Sequence, residues 1–224
     1  PPVPEYFPII ESICRKYDVL LHIDEVVCGL GRTGKWFGYQ HYDVQPDIVT
    51  TAKGLAAGYA AVSITVTTEK LFKMFKEDPT NVDSYFRDIS TFGGSTAGPA
   101  AALEVLKIIK REKLLENVNE VGGHLKNKLL ELQEKHEMIG EVRGKGLFCG
   151  VELVKDRATK EPVDETVAAS VAAHCFKNKV MIGRTNRSFE TNNNVLLFSP
   201  AFICTKTDID LIVESVDNAL VANK

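Results

Sequence analysis

An acidic residue and a lysine, each closing an apolar run, are where this sequence can do chemistry. Leu20-Leu21-His22-Ile23 leads into Asp24-Glu25, and Ile48-Val49-Thr50-Thr51-Ala52 stops at Lys53, followed at once by Gly54. Both runs read as buried strands, and open α/β sheets bind ligands at the carboxyl ends of their strands. Between them lies a glycine-spaced loop, Gly29, Gly31 and Gly34, with Arg32 and Thr33 inside it. An amine and a carboxylate so placed serve pyridoxal phosphate chemistry. The amine forms a Schiff base with the cofactor aldehyde, and the carboxylate keeps the pyridine nitrogen protonated so that the ring acts as an electron sink. On spacing alone the bland reading is the commoner one: a strand-end Asp caps a turn and a strand-end Lys is solvated.

The elements that must position these groups follow from periodicity and punctuation. Residues 8–17 read as a helix with an apolar stripe of Ile9, Ile10, Ile13 and Cys14, leading into the strand that ends at Asp24. Residues 60–66 alternate and are β-branched, so they read as a strand. Thr67 or Thr68 then caps a helix carrying Leu71, Phe72 and Phe75, and the polar segment 77–88, with Pro79, reads as a surface loop. A second chemical stretch, Ile89-Ser90-Thr91-Phe92-Gly93-Gly94-Ser95-Thr96-Ala97-Gly98, precedes an Ala-rich helix beginning near Pro99. Small residues before a helix N-terminus leave amide hydrogens open to an anion, although a tight loop packed beneath a helix is the commoner use of such a stretch. Charged amphipathic helices follow, one ending near Arg111 and one over 114–135. Arg143-Gly144-Lys145-Gly146 reads as a turn with solvated charge entering a strand at 147–153, rather than as an anion site. A helix from Asp164 or Thr166, strands at 180–184 and 195–198 around a polar loop at 187–194, and a helix opened by Thr205-Lys206-Thr207-Asp208 complete the chain.

Composition narrows the classes. The 224 residues are 44% hydrophobic and 25% charged, as in an ordinary globular protein. Lys plus Arg number 27 against 30 Asp plus Glu, a balance that argues against a nucleic-acid partner. The five cysteines lie far apart without metal-type or redox-type spacing, so no metal site is expected and the thiols read as reduced packing residues. With no apolar run long enough for a bilayer and no signal peptide before the first helix, a cytoplasmic protein off the membrane is expected.

Taken together, Asp24-Glu25-Val26, the Gly29-Leu30-Gly31-Arg32-Thr33-Gly34 loop, Ala52-Lys53-Gly54 and the Thr91-Phe92-Gly93-Gly94 stretch resemble the class III (omega-amino-acid) aminotransferases over nearly the whole chain. The resemblance implies an α/β fold of the aspartate aminotransferase-like type (fold type I of the pyridoxal phosphate-dependent transferases). Residues 1–138 would be part of the large cofactor-binding domain with its connecting helices, and 139–224 a small C-terminal α+β domain. It implies catalytic roles for Lys53, at the Schiff base and as proton shuttle, and for Asp24, at the pyridine nitrogen. Val26 would pack on a ring face, while for Glu25 family resemblance and charge allow a structural salt bridge and it stays off the catalytic set, and Arg32 holds the glycine loop. Thr91 would bind the cofactor phosphate of the neighbouring subunit, which implies a homodimer with shared active sites. Relatives often carry His or Asn followed by Pro where this chain has Ser95-Thr96. Arg184 and Arg187 compete for the carboxylate or sulfonate of the substrate, and relatives place an Arg directly after the Val-Met-Ile-like strand, which favours Arg184. The strings from Gly34 to His41 and Tyr85-Phe86-Arg87-Asp88 look most like the branch that moves an amino group from taurine or β-alanine to pyruvate. The partners are then an amino-acid or aminosulfonate donor and a 2-oxo acid acceptor. The chain corresponds to the C-terminal half of such an enzyme, so by itself it is expected to be inactive. A structural half-chain and an aminomutase of the same fold are the alternatives; uptake of the cofactor separates the first, and alanine accumulation from pyruvate the second.

Overall fold

Two strands that lie side by side and run the same way organise the N-terminal part of the computed structural model, which describes residues 1–75, 80, 83–84, 86, 89–189 and 192–223. Strand β1 (His22–Asp24) is parallel to β2 (Ile48–Thr51), with Asp24 opposite Thr50, and β3 (Ile64–Thr67) pairs antiparallel on the far side of β2. Parallel neighbours need a long crossover, and residues 25–47 supply it. Strand β1 starts later than its apolar run. The Asp47 carboxylate accepts the Leu21 N–H at 2.8 Å, the Leu21 carbonyl takes the Asp47 and Ile48 amides, and Val19 and Leu20 stay half exposed. Leu21, Ile23 and Val44 form a small core covered by Phe7, Ile10 and Cys14 of helix α1 (Tyr6–Lys16). Only part of the α1 stripe is used, since Ile9 and Ile13 face outward.

Past β2 the chain makes a 3-10 turn (Lys53–Ala56) whose Leu55 joins Leu30 and Ala102 in a second core. All four residues of β3 are exposed, and it is the outermost of the three described strands of this sheet. Thr68 caps the short helix α2 (Glu69–Met74), its hydroxyl accepting the Leu71 N–H. Helix α3 (Ala97–Arg111) brings Gly98 so close to the lead of β3 that a Cβ there would lie 3.1 Å from the Val62 Cβ. Much of the polar segment 77–88 lies outside the described residues.

In the C-terminal part, helix α4 (Leu114–Lys135) buries Val118, Val121, Leu125, Leu129 and Leu132, a helical stripe, against an antiparallel sheet. Its strands are β4 (Ile139–Lys145), β5 (Phe148–Asp156), β7 (Gly183–Arg184) and β8 (Val195–Phe198), in the order β4-β5-β8-β7, with β6 (Glu161–Pro162) pairing β5. Helices α5 (Glu165–Lys177) and α6 (Lys206–Val221) complete the core. Because α4 packs here, the two compact units divide between Glu112 and Lys113, ahead of the 138/139 division expected from the sequence, and residues 32–34 belong to the C-terminal unit.

Two local expectations are corrected. Residues 139–145 are a strand rather than an approach to a turn, and Gly146-Leu147 is the turn of a hairpin with β5. Arg143 therefore sits in β4, where its guanidinium bonds Glu141 at 2.8 Å and Glu152, on the neighbouring strand, at 2.5 Å instead of standing as a solvated turn charge. Strand β7 keeps only two residues of the expected 180–184. The residues before it close the end of α5, with Lys179 at φ 64° and the Val180 N–H returned to the Cys175 carbonyl.

Helix α6 opens on a reciprocal cap. The Thr205 hydroxyl accepts the Asp208 N–H, and the Asp208 carboxylate accepts the Thr205 N–H at 2.8 Å. The Thr205 N–H and hydroxyl, both donating to the Asp208 carboxylate, hold that carboxyl below its ordinary range. Its stabilisation is thus present above the usual carboxylate range and is lost as pH falls through the depressed value. Thr205→Ala is expected to cost about 1 kcal/mol, read as a lower urea midpoint at neutral pH with an unchanged slope.

Candidate active site

The parallel register places Asp24 opposite Thr50, and Lys53 follows three residues later at the same edge of the sheet. The sequence thus brings its amine and its carboxylate to neighbouring strand ends within one unit. Asp24 is exposed, and one of its oxygens accepts the Val26 N–H at 2.8 Å, turning the chain out of β1. Asp24 is therefore also the turn former that the bland reading allowed, while its second oxygen stays open among the described residues. Val26, two residues past Asp24, is half-buried.

Lys53 stands at φ 45°, in the left-handed region that residues with a Cβ adopt at a cost of roughly 1 kcal/mol or more. Such strain persists where surrounding structure fixes it. Here the Leu55 N–H, two residues on, is bonded back to the carbonyl of Ala52 before it. The exposed Lys53 side chain lies on a cleft of about 660 Å³ whose other walls are residues from 58–63 and 90–99. Those residues are mostly small, among them Gly58, Ala60, Ala61, Ser90, Gly93 and Gly98. Thr91 is exposed in the turn between Ser90 and Phe92 and is not itself part of the cleft lining.

The two arginines stand in the C-terminal unit. Arg184 ends β7 opposite Leu196, half-buried, with its guanidinium donating to the Thr185 carbonyl at 3.2 Å, and Arg187 is exposed in the loop that follows. Tyr85, Arg87 and Asp88 of the subgroup string, and Glu190 and Thr191 of that second loop, lie outside the described residues.

Arg32 holds the glycine loop, as expected, and the partners are now visible. Its guanidinium donates to the carbonyls of Leu147 (3.1 Å) and Pro200 (2.6 Å) and lies 4.6 Å over the Phe202 ring. Burial pulls its pKa down. Glu25 is corrected: it makes no salt bridge among the described residues. Its buried carboxylate accepts the backbone amides of Gly38 and Tyr39 at 2.9 and 2.8 Å. Nothing in the residue string announces an acid aimed at two turn amides thirteen residues on; the glycines around it were the only trace. The cysteines behave as packing residues, with Cys149, Cys175 and Cys204 buried and burial pushing the Cys149 thiol up to about 11. No described helix is long and apolar enough to cross a membrane.

A carboxylate and an amine at adjacent parallel strand ends, the amine on a cleft walled mostly by small residues, are the marks of one class of protein. Residues 1–220 match the family Aminotransferase class-III, and the chain belongs to it. Within that family it is similar to a taurine–pyruvate aminotransferase of Bilophila wadsworthia (strain 3_1_6), 60% identical over 214 residues that cover 96% of this chain and 47% of that protein. A hypotaurine/taurine–pyruvate aminotransferase of Paracoccus denitrificans (strain Pd 1222) is 59% identical over 215 residues, again 96% of this chain and 47% of the relative. Among solved structures, a Bacillus anthracis aminotransferase matches with a TM-score of 0.94 at 38% identity, covering 98% of this chain and 48% of that one. The chain spans about half the length of the curated relatives it matches. Its fold is that of the class III aminotransferases, fold type I.

Enzymes of this family work with pyridoxal phosphate, and the donor set can be tested against that group. The cofactor needs an amine for its aldehyde, a carboxylate for its ring nitrogen and room beside small side chains. Lys53, the open oxygen of Asp24 and the cleft meet those needs, and a Cβ on Gly58, in the cleft lining, would touch nothing within 4 Å. The residues fit.

Proposed function

We propose that this chain belongs to a pyridoxal phosphate-dependent transaminase that moves an amino group from an omega-amino acid of the taurine or β-alanine type to pyruvate. The observation that carries this reading is the pairing of Asp24 and Lys53 at the carboxyl ends of adjacent parallel strands. The taurine and pyruvate specificities come from the relatives' names alone. When bound, the cofactor supplies an aldehyde that takes up amines and a ring that accepts electron density from the substrate carbon. Lys53 Nζ would hold that aldehyde and would move the proton at the amine-bearing carbon. Asp24 would hold the ring nitrogen in its protonated form, and Val26 would pack on the ring. Thr91 donates its hydroxyl to the phosphate held by a second copy of the protein, so the working form is a homodimer. Five free cysteines suit a reducing, cytoplasmic setting.

Arg184 binds the sulfonate or carboxylate of the donor through its guanidinium fork, with Arg187 the competitor. The test is alanine formation from pyruvate by the full-length protein with taurine or β-alanine as donor. Arg184→Ala is expected to raise the donor KM by about 10- to 100-fold, the scale of one charge-assisted bidentate pair, and Arg187→Ala to raise it less. No alanine from either donor would overturn the substrate assignment; the reverse order of the two arginines would exchange their roles.

A further inference from the structure

Glu25 is 2% exposed, directly follows Asp24 and takes no part in the chemistry above. Every polar group it owns is engaged, and the partners fall into two sets. Its backbone joins the two strand ends: its N–H donates to the Thr50 carbonyl at 2.8 Å, and its carbonyl accepts the Thr51 hydroxyl at 3.2 Å and the Gly29 N–H at 3.0 Å. Its carboxylate reaches the other way, one oxygen to the Gly38 amide and one to the Tyr39 amide. The brace thus lies one residue past Asp24 on β1, and Thr51 lies two residues before Lys53 on β2.

The fit is close enough to dictate neighbouring residues. A Cβ on Gly29 would sit 2.6 Å from the Glu25 carbonyl oxygen and 3.2 Å from the Thr51 hydroxyl. On Gly38 it would sit 2.9 Å from the Cys28 Cβ and 3.3 Å from a Glu25 carboxylate oxygen. Burial pushes the Glu25 carboxyl above its usual range, and the two amides pull it back. A buried acid whose donors are two successive backbone amides needs both oxygens as acceptors. An amide side chain offers one acceptor and turns N–H against N–H at the other.

Resting on the function proposed above, we propose that Glu25 is a positioning residue that sets where the Asp24 carboxylate and the Lys53 amine stand, by bracing the ends of the two strands that carry them. The Thr51 hydroxyl is the second half of the brace. Small displacements of reacting groups are costly in rate even where binding is kept.

The test compares full-length wild type, E25Q, T51V and T51S, loaded with pyridoxal phosphate. Three quantities are read: the pH midpoint of the bound cofactor's visible absorbance, the kcat and donor KM of alanine formation, and amide exchange at Gly38 and Tyr39 in the cofactor-free protein. E25Q is expected to lose exchange protection at one of those amides and to move the absorbance midpoint by about 0.5 pH unit or more. Its kcat should fall about tenfold or more with the donor KM within about threefold. T51V should move midpoint and kcat in the same direction, and T51S should restore both. If E25Q does not fold, the T51V and T51S pair decides alone. A loaded E25Q with wild-type midpoint and kcat, losing only thermal stability, overturns this proposal alone. A wild type that takes up no pyridoxal phosphate at Lys53 overturns the functional reading and this proposal with it.

Discussion

Lys53→Ala is expected to abolish amino transfer, with a loss of at least about 10³-fold in kcat, while the protein stays folded. The size follows from the two roles of one amine. It holds the cofactor aldehyde, and it is the base at the substrate carbon, a contribution of about 10² to 10⁴ by itself. The fold survives because the side chain is exposed and the strained φ of 45° is no worse for Ala, which carries the same Cβ. The change in stability should stay within about 0.5 kcal/mol. Borohydride reduction of the loaded wild type, followed by peptide mapping, checks the assignment directly: cofactor fixed to any other lysine would sink it.

Asp24→Asn is expected to cut kcat by about 10²-fold or more while changing cofactor retention by less than about threefold. A neutral amide no longer favours the protonated ring nitrogen, and the ring's capacity to accept electrons falls with that proton. Retention is governed elsewhere, by the lysine and the phosphate contacts. The local backbone should not move, because the Asn side-chain oxygen can still accept the Val26 N–H that the Asp carboxylate accepts at 2.8 Å. Without the carboxylate the ring nitrogen holds its proton only at lower pH, so residual activity should rise as pH falls. A D24N variant transaminating near the wild-type rate would remove Asp24 from the mechanism.

What could be read in advance was whatever a local pattern encodes. The stripe of α4 has the helical period over its full length, and the Thr205 to Asp208 spacing is a start signal in its own right. The ends of β1 and β2 were legible because each apolar run stops on a charge. Strand β4 was not, because Gly140 and Gly144 and the charges Glu141 and Arg143 break the alternation; its pairing comes from β5, not from its own residues. The α1 stripe promised more burial than it has, since Ile9 and Ile13 look identical in sequence to Ile10 but face away from the small core. At the site, the residue types of Asp24 and Lys53 were visible, while the partners of Glu25 and Arg32 were not. Those partners are backbone groups, which every residue carries and no sequence singles out.

The three residues 32–34 have a consequence for how the chain folds. They sit in a unit otherwise built from residues after 112 apart from Pro1, and the Arg32 bonds to Leu147 and Pro200 span 115 and 168 residues. Closing a loop of that size costs roughly 2 kcal/mol more than closing one a tenth as long. Nor can the closure be complete before Pro200 has been made. The fit leaves little slack: a Cβ on Gly146 would lie 2.6 Å from the Thr33 carbonyl carbon, and one on Gly34 would lie 2.0 Å from an Asn119 side-chain oxygen. During synthesis the glycine loop therefore emerges long before its seat does. Its full set of contacts needs both the β4–β5 hairpin and the segment after β8. High contact order of this kind slows folding without weakening the folded state.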